Sequence, residues 1–274
     1  MSLLIPTVVD AEADRRFAAT ALELGYRLDN RWVSRYVDYE WDHGRHLFEQ
    51  YLGAIQNQHV LEFGCNMGAS AIVLALLGAQ VTGVDVDPGL LRLAQCNAAR
   101  YGVEDKIQWF CVPDTTRLPF DDACFSWVFC NSVLEYVPNG ILENILRELD
   151  RVTRAGGIIC ITGTSNRLWP REVHSGWWLV NYLPRVVSRW LSGGQSLESV
   201  FPWEIDFRFG RYENLDLVDK GQAYLTAKAR MGVSGAKLKA LAWANRLLGK
   251  TGVSVGMLTP SISLVLRKKP AGAP

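Results

Sequence analysis

The stretch VLEFGCNMGAS, residues 60–70, sets an apolar run, one carboxylate and two glycines within eleven positions. An apolar run that breaks into a glycine turn and resumes in small, helix-compatible residues predicts strand, turn and helix, the first half of a βαβ unit. From residue 59 onward, short β-branched or apolar runs alternate with helical patterns, which predicts a parallel sheet. Strands are expected at 59–63, 80–84, 107–111, 125–130 and 157–162, with helices near 67–77, 88–101 and 139–154. Asp87 is placed as N-cap and Pro88 as the first helical residue of the second helix, which Gly102 ends. Gly156-Gly157 is expected at the turn from the third helix into the fifth strand.

Outward from this core the pattern changes. Residues 1–58 carry apolar positions near helical spacing and form an N-terminal helical segment, and the core spans 59–164. Residues 165–234 are irregular and rich in Trp, Arg, Gly and Pro; so long a stretch predicts an inserted substrate cap with structure of its own. Residues 235–274 predict the last helix, at 235–249, and a closing antiparallel hairpin whose two runs flank Thr259-Pro260. The 274 residues hold 29 Lys+Arg and 28 Asp+Glu, an ordinary balance. It divides unevenly: residues 165–274 have 16 basic and 7 acidic residues, net +9, leaving 13 and 21, net −8, for residues 1–164. A basic half suits an anionic partner or a solvated surface. The six cysteines show no metal-ligand spacing and read as reduced core residues, which fits a cytoplasm.

The turn at residues 60–70 lies where open α/β sheets bind ligands, outside the carboxyl ends of the strands. A dinucleotide fingerprint would place glycine where Asn66 stands, and Glu62 beside the turn disfavours a diphosphate. Asp85, at the end of the second strand, is placed to accept both hydroxyl protons of a ribose. Asp114, after the third strand, can accept from the exocyclic amine of an adenine, with Thr115 or Thr116 beside it. Together these acids describe a cationic adenosyl compound without a phosphate.

With those residues in place, the chain resembles the class I S-adenosylmethionine-dependent methyltransferases, in particular the broad group that methylates small molecules. VLEFGCNMG is similar to their first motif, VTGVDVDP to the second, VPDTTRLPFDDACFSWVFCNSVLEYV to the adenine-binding and post-strand-four motifs, and ELDRVTRAGGIICIT to the lead into strand five. The resemblance implies an α/β, Rossmann-like, doubly wound and mostly parallel seven-stranded sheet with a C-terminal antiparallel hairpin and the cap inserted between strand 5 and the last helix. It implies S-adenosylmethionine held by Glu62, Gly64, Cys65, Asn66, Gly68, Asp85, Val86, Asp114, Thr115 and Asn131, with no metal. Two positions depart from the family: Asn66 stands where glycine is common, and Tyr136 where a histidine often follows the acid.

Methyl transfer from a sulfonium is a direct displacement, so the protein supplies chiefly alignment, plus a general base when the acceptor is a hydroxyl. The candidates are His174 and Glu172, in the loop after strand five, and Tyr136 after strand four. O-methylation of a hydroxylated acceptor, a sugar or an aromatic metabolite, is favoured. The alternatives are a lipid or quinone-like acceptor at a membrane surface, or a non-catalytic module that binds the cofactor. Nucleic acid is disfavoured, since no recognisable binding motif is present. The basic segment 235–249 is expected chiefly as a sheet-covering helix with a solvated polar face; its other reading is peripheral contact with the inner membrane face.

Overall fold

A computed structural model of the chain describes residues 6–51, 53, 55–173, 175–183, 187, 199–208 and 210–270. Its strands are β1 (His59–Phe63), β2 (Gln80–Asp85), β3 (Ile107–Cys111), β4 (Phe125–Asn131), β5 (Thr153–Thr162), β6 (Tyr212–Asn214) and β7 (Leu264–Lys268). They form one seven-stranded sheet in the order β3-β2-β1-β4-β5-β7-β6. The β1–β2, β2–β3 and β4–β5 pairs are parallel, whereas β7 runs antiparallel to both β5 and β6. The expected mixed Rossmann-like sheet is therefore present.

By internal contacts the chain divides into a unit of residues 1–115 with 230–232, and a unit of residues 116–229 with 233–274. In the first unit, helices α1 (Ala11–Glu23), α2 (Arg31–Ser34), α3 (Tyr36–Asp42) and α4 (Gly44–Tyr51) precede β1, followed by α5 (Ala69–Leu76) and α6 (Pro88–Arg100). Helix α5 has the sequence ASAIVLAL, apolar almost all round, and Ala69 through Ala75 are all buried, as expected of a helix enclosed on every side. Helix α6 begins as its sequence dictates: Asp87 accepts from the amides of Gly89 (2.7 Å) and Leu90 (3.3 Å), with Pro88 in the first turn. The N-terminal helices are tied down by a shared cluster in which Phe17, Ala21 and Val33 pack with Met67 and Leu93. A nearly buried Arg100 completes the tie, donating to Asp14 at 2.8 Å with its guanidinium 4.2 Å from the Phe17 ring centroid.

In the second unit, α7 (Asn139–Val152) runs directly into β5. Gly156 and Gly157 thus lie inside the strand and not at its entrance. The reason is a local excursion of the chain: the β4–β5 register shifts between Phe125 and Trp127, and Gly156 has φ +73°. At Gly157 a Cβ would lie 2.8 Å from the Arg154 carbonyl oxygen and 2.9 Å from that of Ser126. Backbone approaches that close admit only glycine.

The closing antiparallel pair differs from the sequence expectation in its members. The run before Thr259-Pro260 forms a 3₁₀ turn, Val255–Leu258, and β7 takes β6 as its second partner. The segment 165–234 thereby contributes a strand to the sheet in addition to its loops. The helix Gly235–Leu248 forms where expected, but Asn245 is its one buried residue, so it does not lie beneath its neighbours as a sheet cover would. Of the six cysteines, Cys65, Cys130 and Cys160 are buried free thiols, whereas Cys111 and Cys124 are exposed and Cys96 is half-buried. Among the described residues no helix is long and apolar enough to cross a membrane.

Candidate functional site

The turn after β1 is built on backbone conformations that few residues tolerate. Gly64, Asn66 and Gly68 have φ values of +73°, +51° and +75°. The chain leaves β1 with the amides of Gly64 and Cys65 both donating to the Val84 carbonyl, at 2.8 and 2.9 Å, which locks the turn to the end of β2. Asn66 is the one non-glycine of the three, and asparagine is among the residues that visit this region most readily. Its side-chain oxygen accepts from the Met67 amide at 2.7 Å, so the side chain folds back onto its own turn. The Met67 carbonyl in turn accepts from Asn97 Nδ2 at 2.8 Å, anchoring the loop to α6.

Asp85 closes the arrangement. One carboxylate oxygen accepts from the Asn66 amide (2.8 Å) and the other from the Asp87 amide (3.1 Å). Each oxygen has a second lone pair, so the carboxylate is fixed in place and can still accept from two hydroxyls. Val86 follows it with an exposed side chain, and Tyr26 comes near enough for Asp87 and Asp85 to raise its phenol pKa further, after burial, which is the larger cause. Asp114 is exposed and Thr115 half-buried in the loop after β3. The Cys65 side chain is buried, which pushes its thiol pKa well up, and its amide is taken up by the Val84 carbonyl.

Glu62 has a different place from the other acids. It is 3% exposed, and its carboxyl accepts from the Ser70 hydroxyl and the Ala71 amide in the first turn of α5, the end of a helix that favours negative charge. Its Oε2 is buried with no hydrogen-bond partner among the described residues. Burial first, and then the charge of the equally buried Glu40 in α3, hold its pKa well above the ordinary value, and the bonds from Ser70 and Ala71 oppose them only in part. A carboxyl that binds its proton more tightly folded than unfolded costs stability as pH rises from about 4.5 through its folded pKa. Glutamine at 62 keeps an oxygen for Ser70 and Ala71 and cannot ionise. Glu62→Gln is thus expected to raise the thermal midpoint relative to wild type by a margin that widens as pH increases, while weakening a cationic ligand. Parallel midpoint-versus-pH curves for the two proteins would refute this role for Glu62.

Two residues that shape the site carried no weight in the sequence. Trp109 pairs with Gly83 across β2–β3, and its ring lies over both Gly83 and Gly68. A Cβ at Gly83 would come 2.6 Å from Trp109 Cε3, and one at Gly68 2.5 Å from Cη2. A glycine inside a strand pattern is the signal that could have exposed this close approach.

The second unit holds the remaining candidates. Asn131, at the end of β4, accepts from the Thr162 hydroxyl at 3.1 Å. The next residue, Ser132, has φ +53° and donates its amide to the Thr162 carbonyl at 2.8 Å. Gly163 leaves the space they occupy, since a Cβ there would lie 2.5 Å from Asn131 Oδ1. Tyr136 ends a 3₁₀ turn, Leu134–Tyr136, and is about half exposed. Its phenol is pushed above its usual pKa by burial and then by the charges of Glu135 and Glu172, so it is a hydrogen-bond donor at neutral pH and not a base. Glu172 is buried, with Oε1 accepting from Ser165 Oγ (3.0 Å) and Oε2 from the Ser175 amide (2.5 Å). Ser165 also bonds Ser199, which donates to Asn181 Oδ1 at 2.7 Å. Glu172 therefore sits in a buried polar network and within electrostatic reach of Tyr136. His174 lies outside the described residues.

Residues 61–161 match the family model described as a methyltransferase domain. A sterol 4-C-methyltransferase of Caenorhabditis elegans is 30% identical over 102 residues, covering 37% of this chain and 30% of that protein. A ubiquinone biosynthesis O-methyltransferase of Chromobacterium violaceum is 32% identical over 135 residues, 48% of this chain and 56% of that one. The chain thus spans less than two thirds of the length of these relatives. Among solved structures, a putative methyltransferase of Bacillus halodurans superposes with a TM-score of 0.52 at 18% identity, over 82% of this chain and 99% of that one. The [4+2]-cyclase SpnF gives 0.50 at 18% identity, over 81% and 79%. Both show the fold. A protein named for cyclisation in the same fold also shows that the reaction has to be argued from the site.

Proposed function

We propose that the chain binds S-adenosylmethionine at the turn after β1 and transfers a methyl group to a small-molecule acceptor, with O-methylation of a hydroxylated sugar or aromatic metabolite favoured. The observation that carries this reading is the fixing of Asp85 by the amides of Asn66 and Asp87, which leaves its outer lone pairs for a ribose diol. The other donors suit the same compound. Asp85 and Asp114 present carboxyls where a diphosphate would be repelled, and Glu62 keeps one buried oxygen with no hydrogen-bond partner among the described residues. Bound there, S-adenosylmethionine supplies an electrophilic methyl group. The turn and Asp85 hold the adenosyl part in one orientation; Asp114 and Thr115 serve the adenine edge, and Asn131 the amino-acid end.

Tyr136 is assigned to orient the acceptor by donating its phenolic hydrogen bond, Glu172 to steer that phenol by its charge, and His174 to take the hydroxyl proton. Tyr136→Phe is expected to lower kcat about tenfold or more with donor affinity within about twofold. Steady-state kinetics beside calorimetry checks this, and an unchanged kcat would remove Tyr136 from the site. The overall reading is tested by titrating the intact protein with S-adenosylmethionine, then incubating it with a deuterium-labelled methyl donor and a panel of hydroxylated acceptors. Label transfer seen by mass spectrometry supports it. Failure to bind the donor would overturn it, and binding without transfer to any acceptor class would leave a binding module.

A second reading, a lipid or quinone-like acceptor, is favoured by one feature. The loop after β5 exposes Trp177 and Trp178 at 51% and 68%, with Trp169 and Tyr182 also exposed, an aromatic surface suited to an apolar or interfacial compound.

A further inference from the structure

We propose that the helix Gly235–Leu248 is an interfacial anchor that docks the protein on an anionic lipid surface. Its inner side is held by Asn245, whose Nδ2 donates to the Lys220 carbonyl at 2.5 Å and whose Oδ1 accepts from the Val255 amide at 3.3 Å. Leu238, Leu241 and Leu248 are partly covered beside it. That seating uses up one side of the helix. The opposite side carries Ala236, Ala240, Trp243 and Leu247, spaced by four, three and four residues, which places them in one stripe. All four are exposed, Trp243 at 67% and Leu247 at 48%. The stripe is flanked by exposed cations, Lys239 and Arg246 on one side and Lys237 on the other.

A surface helix normally turns its apolar face inward and a polar face to water. Here a second apolar face points outward between rows of positive charge, the arrangement of a helix lying in the plane of a bilayer. Tryptophan suits that depth, its ring apolar and its N–H able to meet the headgroups. The charge of the region selects the kind of surface: residues 220–274 contain ten Lys and Arg and no Asp or Glu. Each cation near an anionic leaflet adds about 1 kcal/mol of attraction. The helix is 14 residues long and so lies on a membrane and does not cross it.

The test is co-sedimentation of the full chain with vesicles of pure phosphatidylcholine and with vesicles of phosphatidylcholine containing phosphatidylglycerol. The expected result is binding to the anionic vesicles that weakens as salt rises, with little binding to the neutral ones. Charge reversal, Lys237→Glu with Lys239→Glu and Arg246→Glu, is expected to weaken partitioning about a hundredfold or more. Trp243→Glu with Leu247→Glu is expected to abolish it. These five side chains are exposed, so thermal midpoint and S-adenosylmethionine affinity should stay at wild-type values, which separates lost docking from lost folding. Failure of the wild type to bind anionic vesicles, equal binding to neutral ones, or full binding by the Trp243/Leu247 variant would overturn the proposal and leave a protein partner as the occupant of the stripe. None of these readouts depends on methyl transfer, so their outcome stands apart from that of the proposed reaction.

Discussion

Asp85→Ala is expected to weaken S-adenosylmethionine binding by roughly a hundredfold or more while leaving folding stability within about 1 kcal/mol of wild type. The first half follows from chemistry. A hydrogen bond to a charged group contributes roughly 1.5–3 kcal/mol, and the carboxylate is placed to receive two from a ribose. The second half follows from where its present donors lie. Alanine would free the amides of Asn66 and Asp87, but both residues are exposed, so water can accept in place of the carboxylate. A residue whose loss spoils binding without loosening the fold is acting on the ligand. Asp85→Asn refines the point, because the amide keeps one acceptor oxygen and loses the other. Its affinity should fall between wild type and alanine, with kcat at saturating donor less affected than Kd. Titration calorimetry and thermal melts measure both halves, and undiminished affinity in the alanine variant would sink the ribose assignment.

The parts of the molecule that were legible in the sequence are those governed by local rules. Asp87 and Pro88 announce the start of α6, and the Asp10 cap of α1, accepting from the amides of Glu12 and Ala13, obeys the same chemistry. Strand edges at β1 to β4 follow from apolar runs ending at turn residues. The misplacements are non-local. Gly156-Gly157 has the composition of a turn, but pairing with β4 extends the strand back to Thr153 and converts the glycines into an interruption within it. The run before Thr259-Pro260 is apolar enough for a strand, yet Tyr212–Asn214 takes the place beside β7, and no local signal ranks one edge partner over another. The site divides in the same way. The acids and the turn were legible because each occupies a fixed offset from a strand end. Ser70 and Glu40 were not, since their importance lies in reaching Glu62 across sequence distance. At Asn66, where glycine is common, the side chain bonds the Met67 amide and so supports a left-handed conformation that no local pattern announces.

Gly68→Ala is expected to destabilise the protein by about 2–5 kcal/mol, the sum of two separable costs. A left-handed backbone at φ +75° costs an L-residue roughly 1–2 kcal/mol. The added methyl would also stand 2.5 Å from Trp109 Cη2 and 3.2 Å from the Ala94 Cβ, and overpacking of that kind costs about 1–3 kcal/mol. Trp109→Leu removes the ring and so relieves the second cost without touching the first. In a double-mutant cycle, Gly68→Ala should therefore cost less in the Trp109→Leu background than in the wild-type one, by about 1–3 kcal/mol. Additive costs would mean that the tryptophan is not what excludes a side chain there. The consequence reaches the ligand through α5. Gly68 caps that helix, and Ser70 and Ala71, in its first turn, donate to Glu62. A ring pushed against residue 68 displaces the turn that carries these donors, so donor affinity should fall in Gly68→Ala and recover in part when Trp109 is shortened. Partial recovery would establish that this glycine serves the packing of α5 against β3. Affinity that stays low in the double variant would instead assign Gly68 to direct approach of the ligand.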